Sequence, residues 1–247
     1  MNQEFEDLKE KAKAGDATAQ YHVGRILIEG KKIPKDVKEG CKWVELSAKA
    51  SNSDAQVLLA EQYSRGEGVP KNYEAAITWY QKAAKAKHQD ALYKMGILMI
   101  LAKKDEENVN KGEDYLRHSA NSGNINAQYE LGLIYLRGTT SFHIDGEEAV
   151  RWFKKASEKE HLPSLNILGY IFANGSQDKK IKANEELAIK YWKLAADKGF
   201  SEAQYNLANL YLKKANELWE VSASKGFQKS KYMLNVMKSH DLRNVKK

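Results

Sequence analysis

A ten-residue segment, with an aromatic residue near its start and an Ala/Ser pair near its middle, recurs along the chain. Its six copies begin at Trp43, Trp79, Tyr115, Trp152, Tyr191 and Leu218, with offsets of 36, 36, 37, 39 and 27 residues. A repeat of this length is one supersecondary unit that cannot bury its apolar face alone, so neighbouring units stack on each other. The chain is therefore expected to be an array of such units.

A second segment falls between these copies. It starts with a small residue, Ala or Ser, which is usually followed by Gln or Leu and then by an aromatic residue. A hydrophobic residue followed by Gly or Ala comes next. The copies of this segment begin at Ala19, Ala55, Ala91, Ala127, Ser164, Ala203 and Ser230. Hydrophobic residues within it recur at i, i+4, which indicates a helix. Glycine in a helix costs about 1 kcal/mol relative to alanine, so its recurrence at one position of this segment indicates close helix packing.

Each unit is thus predicted to be two antiparallel amphipathic helices, named A and B in chain order. The predicted fold is all-α, an α/α superhelical solenoid of roughly fourteen helices. The predicted divisions are a capping helix at 1–15, six helix-pair repeats at 16–52, 53–88, 89–124, 125–161, 162–200 and 201–227, and a capping helix with a basic tail at 228–247. Phe5, Leu8 and Ala12 suggest the first cap, and Tyr232, Leu234 and Met237 the second, because a solenoid must cover its terminal apolar faces.

The sixth unit departs from the pattern because it is about nine residues shorter than the second. Tyr211 lies 8 residues before Trp219, whereas Tyr63 lies 17 before Tyr80, and no Gly or Pro intervenes. Its two helices either fuse into one or turn very tightly near residues 213–216.

These motifs resemble the Sel-like repeat (SLR) family, a relative of the tetratricopeptide repeat proteins. The family's unit reads roughly Ala-x-Ala-Gln-Tyr-x-Leu-Gly-x-x-Tyr, a Gly-x-Gly-Val turn, and Ala-x-x-Trp-Tyr-x-Lys-Ala-Ala. The second unit is nearly complete, from Ala55 through Gly66-Glu67-Gly68-Val69 to Ala84, and the match covers nearly the whole chain. The resemblance implies a protein-interaction role.

Composition narrows the functional classes. The chain has 247 residues, a net charge of +7 spread along its length, and a pI near 9.1. Since no nucleic-acid-reading module accompanies this charge, nucleic acid is not an expected partner. Cys41 is the only cysteine, and no apolar run has the roughly 18 residues of a membrane span. Together with the lack of an export signal, these features favour a bacterial, cytoplasmic protein, with a signal-less secretion route left open.

No catalytic or metal constellation stands out in the sequence, so no enzyme activity, metal or cofactor is expected. The glycines of Gly66-Glu67-Gly68 are explained by the repeat turn, and Cys41 lacks a nucleophile signature. The histidines are scattered, and His22, His88 and His161 are expected at the surface. The five tryptophans are expected in the core, and the recurring tyrosines of helix A are expected to pack between units more than to line a groove.

A binding surface is predicted from variation between units, because a solenoid keeps its packing positions alike and varies the residues it presents to partners. Tetratricopeptide relatives line their concave face with helix A residues. The corresponding positions here are Tyr21, Arg25, Glu29, Glu61, Arg65, Tyr93, Ile97, Tyr129, Leu133, Arg137, Asn166, Tyr170, Asn174, Tyr205 and Asn209. Aromatic and arginine side chains dominate binding hot spots, so this mixture suits capture of a protein or peptide.

The resulting functional prediction is a non-enzymatic adaptor or scaffold that binds another protein on the concave face, with a monomer favoured. An immunity-type inhibitor of one toxin or enzyme, or a bacterial effector acting on host proteins, is the alternative within binding proteins. A hydrolase with a groove site is the remaining alternative from another class.

Overall fold

The computed structural model describes residues 2–31, 33–88, 90–102, 105–138 and 143–244. Within these residues it contains thirteen helices and no strand, so the predicted all-α fold of packed helix pairs is confirmed. The helices are α1 (Asn2–Lys13), α2 (Ala17–Glu29), α3 (Val37–Lys49), α4 (Ser53–Arg65), α5 (Tyr73–Lys85), α6 (Ala91–Ala102), α7 (Glu106–Asn121), α8 (Ile125–Arg137), α9 (Gly146–Ser157), α10 (Leu162–Asn174), α11 (Glu185–Ala196), α12 (Ser201–Ser224) and α13 (Gln228–Asn244). No helix in these ranges is long and apolar enough to cross a bilayer.

The described residues divide into two compact units. The first extends to Ala156 and contains α1 to α8 with nearly all of α9; the second begins at Ser157 and contains α10 to α13. Even-numbered helices from α2 to α10 are the A helices, and odd-numbered helices from α3 to α11 are the B helices.

Short polar side chains start most of these helices. Asp16, Asn52 and Asn124 precede A helices, and each accepts a hydrogen bond from the backbone N–H three residues later, at 2.9–3.0 Å. Asp36 and Asn72 cap B helices in the same way. Such caps satisfy backbone donors that a helix leaves unpaired at its start.

Glycines bring helix A and helix B of one unit into backbone contact. A Cβ added at Gly24 of α2 would lie 2.7 Å from the carbonyl oxygen of Gly40 in α3, and one added at Gly40 would lie 2.8 Å from that of Gly24. Gly96 and Gly112 repeat this arrangement between α6 and α7. The close packing predicted for the helix A glycines is therefore present, and the matching glycines of helix B were not singled out from the sequence.

The recurrent glutamine of helix A ties each unit to the helix before it. Its side-chain amide donates to the backbone carbonyl eight residues earlier at 3.1–3.2 Å in four units, at Gln20, Gln56, Gln128 and Gln204. The first three are buried. Each of these carbonyls also accepts a backbone N–H from three residues later, so the glutamine adds a second hydrogen bond at the helix end and fixes the spacing of adjacent units.

The prediction that all tryptophans are core residues is wrong for three of them. Trp152 and Trp192 are buried, whereas Trp43, Trp79 and Trp219 are half-buried. The Trp79 ring packs against the core, and the Lys82 Nζ lies over the ring at 4.0 Å from its centroid. A large ring can thus pack against the core on one side and a lysine on the other.

The two helices of the sixth unit are fused into one continuous helix, α12. The described residues therefore contain thirteen helices, where roughly fourteen were predicted. At the start of the chain, Phe5 and Ala12 of α1 are buried, as expected of a cap. At the other end, Leu234 and Met237 are half-buried, but Tyr232 is 67% exposed and does not serve as a capping contact. The predicted basic tail begins within α13, and residues 245–247 lie outside the described residues.

Candidate functional site

The predicted binding residues occupy three positions of each A helix, counted from its recurrent Gly or Ala. Column one lies three residues before that small residue, column two one residue after it, and column three five residues after it. Column three is exposed in all six units, at Glu29, Arg65, Leu101, Arg137, Asn174 and Lys213. Column two is exposed at Arg25, Tyr170 and Asn209 and half-buried at Glu61, Ile97 and Leu133.

Column one mainly packs between helices. Tyr21, Tyr93 and Tyr129 are half-buried, and Tyr21 contacts the cluster that contains Val44 and Leu59. Tyr129 meets the ring of Phe153 edge-on at a centroid distance of 5.8 Å. The packing interpretation of these tyrosines is therefore correct. It fails at Tyr205 and Tyr232, which are 68% and 67% exposed.

Helices α4 and α6 form a groove of about 230 Å³ that brings four predicted residues together. Its lining consists of Glu61, Ser64, Arg65, Tyr80, Tyr93, Lys94, Ile97, Leu98 and Leu101. Leu101 is 67% exposed, which is unusual for a leucine flanked by half-buried apolar residues. The groove thus offers an apolar floor with charged side chains at its edges.

Charges in this groove are arranged by one ion pair across the two helices. Lys94 of α6 pairs with Glu61 of α4, so Glu61 is occupied within the chain. Burial raises the pKa of the Tyr80 hydroxyl, with Glu61 adding to the shift and Arg65 opposing it. Arg65 is exposed and has no ion-pair partner among the described residues, so its guanidinium is available for an anionic group.

In the first repeat, the predicted residues contact one another. The Arg25 guanidinium lies 5.7 Å from the ring centroid of Tyr21, and its Nε lies 3.7 Å from a carboxylate oxygen of Glu29. These three residues therefore interact with one another, whereas Arg65 in the groove between α4 and α6 has no ion-pair partner among the described residues.

Helix α8 places a partly buried carboxylate beside its predicted residues. Burial raises the pKa of Glu130, and Arg137 opposes that shift. Burial of the Tyr129 hydroxyl also raises its pKa, and the nearby negative charge of Glu130 raises it further. Arg137 is exposed and, within the described residues, has no ion-pair partner. It therefore forms a second available guanidinium on a helix A face.

In the second compact unit, Asn166 is used inside the fold. It accepts a hydrogen bond from the Asn206 side chain at 2.9 Å, and its backbone carbonyl accepts one from Trp192 Nε1 at 3.1 Å. Tyr170 is 55% exposed, and the Asn174 side chain donates to its backbone carbonyl at 2.9 Å. Tyr170 is therefore the exposed aromatic residue of α10, whereas Asn166 holds α12 against it.

The residues considered for catalysis have other roles. Cys41 is buried; burial raises its pKa to about 11, and its thiol lies 3.5 Å from the Glu67 carbonyl oxygen in the turn of the second unit. It is thus a protonated packing group at neutral pH. Among the described residues, no three His, Cys, Asp or Glu side chains come together in a way that could hold a metal ion.

The surface positions predicted for the histidines need correction, because His22, His88 and His161 are half-buried. The His88 ring lies 3.2 Å from a carboxylate oxygen of Asp54 and is only 17% exposed. Burial lowers the pKa of His161, whose Nδ1 lies 2.8 Å from the Ser164 hydroxyl. His88, beside a repeat boundary, thus contacts Asp54 in the first turn of α4, which an interpretation of the boundary as an exposed loop does not anticipate.

Sequence reasoning missed three residues of the candidate surface: Lys94, Leu101 and Glu130. Leu101 occupies column three, so the repeat alignment alone could have identified it. Lys94 and Glu130 occupy the position after column one, which holds unrelated residue types in the other units. That variation was the available signal.

The comparison with protein families settles the relationship that the repeats suggested. The Sel1 repeat model matches residues 17–52, 53–88, 125–161, 162–200 and 201–213, which is more than half of the chain. The chain belongs to the Sel1 repeat family. Sel1 repeat proteins typically mediate protein–protein interactions, and the family is generally one of non-catalytic scaffolds.

Solved structures with Sel1 repeats share this fold. A protective antigen present in uropathogenic Escherichia coli strains, described as displaying an SLR fold, has a TM-score of 0.73 and 26% identity, covering 96% of this chain and 52% of the antigen. A Sel1 repeat protein from Oxalobacter formigenes has a TM-score of 0.69 and 28% identity, covering 85% of this chain and 60% of that protein.

A curated relative shows the same repeat in a larger protein. The ERAD-associated E3 ubiquitin-protein ligase component HRD3B of Arabidopsis thaliana is 33% identical over 116 residues, which is 44% of this chain and 18% of HRD3B. This chain therefore spans less than two thirds of the length of each of these relatives.

Proposed function

We propose that this chain is a non-enzymatic adaptor that holds a partner protein or peptide on the helix A surface of its first compact unit. The observation that carries the proposal is the contrast between repeat positions. The small residue of helix A, Gly or Ala in every unit, is buried in the first five units, whereas column three is exposed in every unit and differs in charge and size. Variation confined to exposed positions is what selection for a partner would leave on a solenoid.

The groove between α4 and α6 defines the chemistry of the bound segment. Ile97 and Leu101 offer apolar surface, and Arg65 offers a guanidinium without an ion-pair partner among the described residues. A segment that carries an apolar side chain next to a carboxylate would satisfy both. Arginine binds carboxylates through two parallel hydrogen bonds, which makes the contact specific as well as attractive.

The Cys41 thiol and the His161 ring, which are groups of the kinds used in catalysis, both have structural roles here. The one thiol is protonated at neutral pH, and His161 is engaged with Ser164. The general role of Sel1 repeats in protein interaction supports the adaptor.

The test uses affinity capture from cells of the source organism, followed by measurement of the affinity for whatever protein is captured. Arg65→Ala combined with Arg137→Ala is expected to weaken binding roughly tenfold or more, since truncated arginine hot spots cost upwards of about 1 kcal/mol each. Lys38→Ala combined with Lys85→Ala is the matched control, because it removes the same charge from exposed positions of B helices. Equal affinity of the two double variants would refute the proposed surface.

A further inference from the structure

The sixth unit lacks the connection that lets helix B fold back on helix A. In the second unit, Ala60 and Tyr80 are 20 residues apart, whereas Ala208 and Trp219, at the same two repeat positions, are 11 apart. The intervening residues continue the helix, so α12 contains an A half followed directly by a B half. The A–B contact found within the other units therefore cannot form within this one.

The A half of α12 consequently exposes a surface that is covered elsewhere. At the repeat position of Ala208, the other five units have Gly24, Ala60, Gly96, Gly132 and Gly169, all buried, whereas Ala208 is exposed. Three residues further along, Leu27, Met99 and Phe172 are buried, but Tyr211 is 49% exposed. The adjacent Leu212 is 40% exposed.

The B half likewise keeps its packing residues without their usual cover. Trp219 and Ala215 occupy positions that are buried in all five other units, and here both are half-buried. Leu218 is 69% exposed, although its repeat position holds a buried or half-buried aromatic residue elsewhere. The A half and the B half of α12 thus each carry the residues of the A–B contact, and neither half has the other packed against it.

These residues form one seam along α12. Ala208, Leu212, Ala215, Trp219 and Ser222 follow each other at spacings of 4, 3, 4 and 3, which places them on the same face of the helix. A two-helix antiparallel pair uses this spacing, with the first and fourth heptad positions facing each other.

The register of such a pair follows from the contact inside the first unit. There Gly24 lies against Gly40 and Val44, whose repeat positions in the sixth unit are Ala215 and Trp219. Gly40 in turn lies against Ile28, whose repeat position in the sixth unit is Leu212. Applied to two copies of α12, this register sets Ala208 against Trp219 and Leu212 against Ala215. Each small residue therefore meets a large one, as close packing of facing helices requires.

Charges near the centre of the seam do not oppose this arrangement. Lys213 and Lys214 would lie closest to the twofold axis, where unpaired lysines of two copies would repel each other. Lys214 pairs with Glu185 of α11, and Lys213 Nζ lies 4.0 Å from a carboxylate oxygen of Glu217. Both positive charges are thus balanced within each copy.

We propose that α12 is a self-association surface, on which a second copy of this chain packs antiparallel and supplies the helix half that each copy lacks. The exchange is reciprocal, because each A half receives the B half of the other copy. Such an isologous contact closes a twofold dimer. It replaces the monomer expected from the sequence and leaves the groove between α4 and α6 to another partner.

Sedimentation velocity combined with light scattering tests the wild-type chain at about 1–100 μM, the range of ordinary self-association constants. The expected mass is twice 28.0 kDa. A monomer throughout this range would overturn the proposal.

Charge variants test the register. Ala208→Lys or Trp219→Glu alone should weaken the dimer roughly a hundredfold, because each buries unpaired charge in the seam. The double variant should recover most of the affinity, since each introduced lysine faces an introduced glutamate. Asn209→Glu, at an exposed position off the seam, is the control and should dimerise like the wild type. A folded Trp219→Glu chain that dimerises normally would also overturn the proposal.

A loop insertion provides a variant that does not depend on disrupting the seam. Inserting a copy of residues 66–74 between Lys213 and Lys214 restores the second unit's connection, so the B half can fold back on its own A half. This chain should be monomeric with an unchanged helical circular dichroism signal per residue. Persistence of the dimer in this helical chain would exclude the missing intramolecular contact as its cause.

Discussion

Replacing Gly24 with alanine adds one methyl group where α2 and α3 touch. That methyl would lie 2.5 Å from Val44 Cγ2, 2.7 Å from the Gly40 carbonyl oxygen and 2.9 Å from the Val44 backbone nitrogen. Two of these three atoms are backbone, so no side-chain rotation relieves the overlap and the helices must separate. Overpacking costs about 1–3 kcal/mol, with this site at the upper end. The higher helix propensity of alanine returns about 1 kcal/mol, which leaves a net loss of about 2 kcal/mol.

Urea unfolding followed by far-ultraviolet circular dichroism measures this loss as a lower midpoint. The matched control is Ala60→Gly, which makes the opposite exchange at the same repeat position of the second unit. It is expected to cost about 2 kcal/mol, because it lowers helix propensity by about 1 kcal/mol and removes a buried methyl group worth about 0.8 kcal/mol. A Gly24→Ala chain as stable as the wild type, or more stable, would refute the backbone-contact argument.

Three further predictions concern single residues. Ser51→Gly and Lys87→Gly should each raise the free energy of unfolding by about 0.5–1 kcal/mol in urea titrations, because both residues have φ above 60°, where a side chain is strained. Burial lowers the pKa of His161, so the unfolded chain binds its proton more readily; stability should be full above pH 6.5 and fall as the pH drops below it. Thermal melts should find this loss reduced in His161→Asn, which removes the titrating ring and places a good N-cap residue before α10. Cys41, with a pKa of about 11, should react with a thiol reagent at pH 8 only after urea unfolds the chain, and rapid reaction of the folded chain would contradict its burial.

The repeat made the fold predictable because the same residues recur where the same contacts recur. Gly24, Gly96 and their equivalents carry a cost in helix propensity, and that cost pointed correctly to close helix packing. The fused helix α12 could not be decided from the sequence. A short connection without Gly or Pro is compatible with a tight turn as well as with a continuous helix, and the choice depends on whether the turn could be closed without strain.

The candidate surface was only partly predictable for a related reason. Helical spacing identifies which residues share a face, so Arg65 and Arg137 were correctly expected to be accessible. Spacing does not show which side chains satisfy each other. Arg25 contacts Tyr21 and Glu29 on its own helix, and Lys94 pairs with Glu61 across two helices. Both sets of contacts depend on distances that the repeat pattern leaves unspecified.

Site-specific photo-crosslinking in cells of the source organism tests the adaptor function most directly. A photoreactive residue placed at Leu101 in the groove is compared with one at Gln81, which is exposed on the B helix α5 of the same compact unit. The adaptor account predicts that Leu101 crosslinks to a distinct protein, that Gln81 does not, and that Arg65→Ala reduces the Leu101 product. Equal crosslinking from both positions, or crosslinking from Gln81 alone, would contradict it.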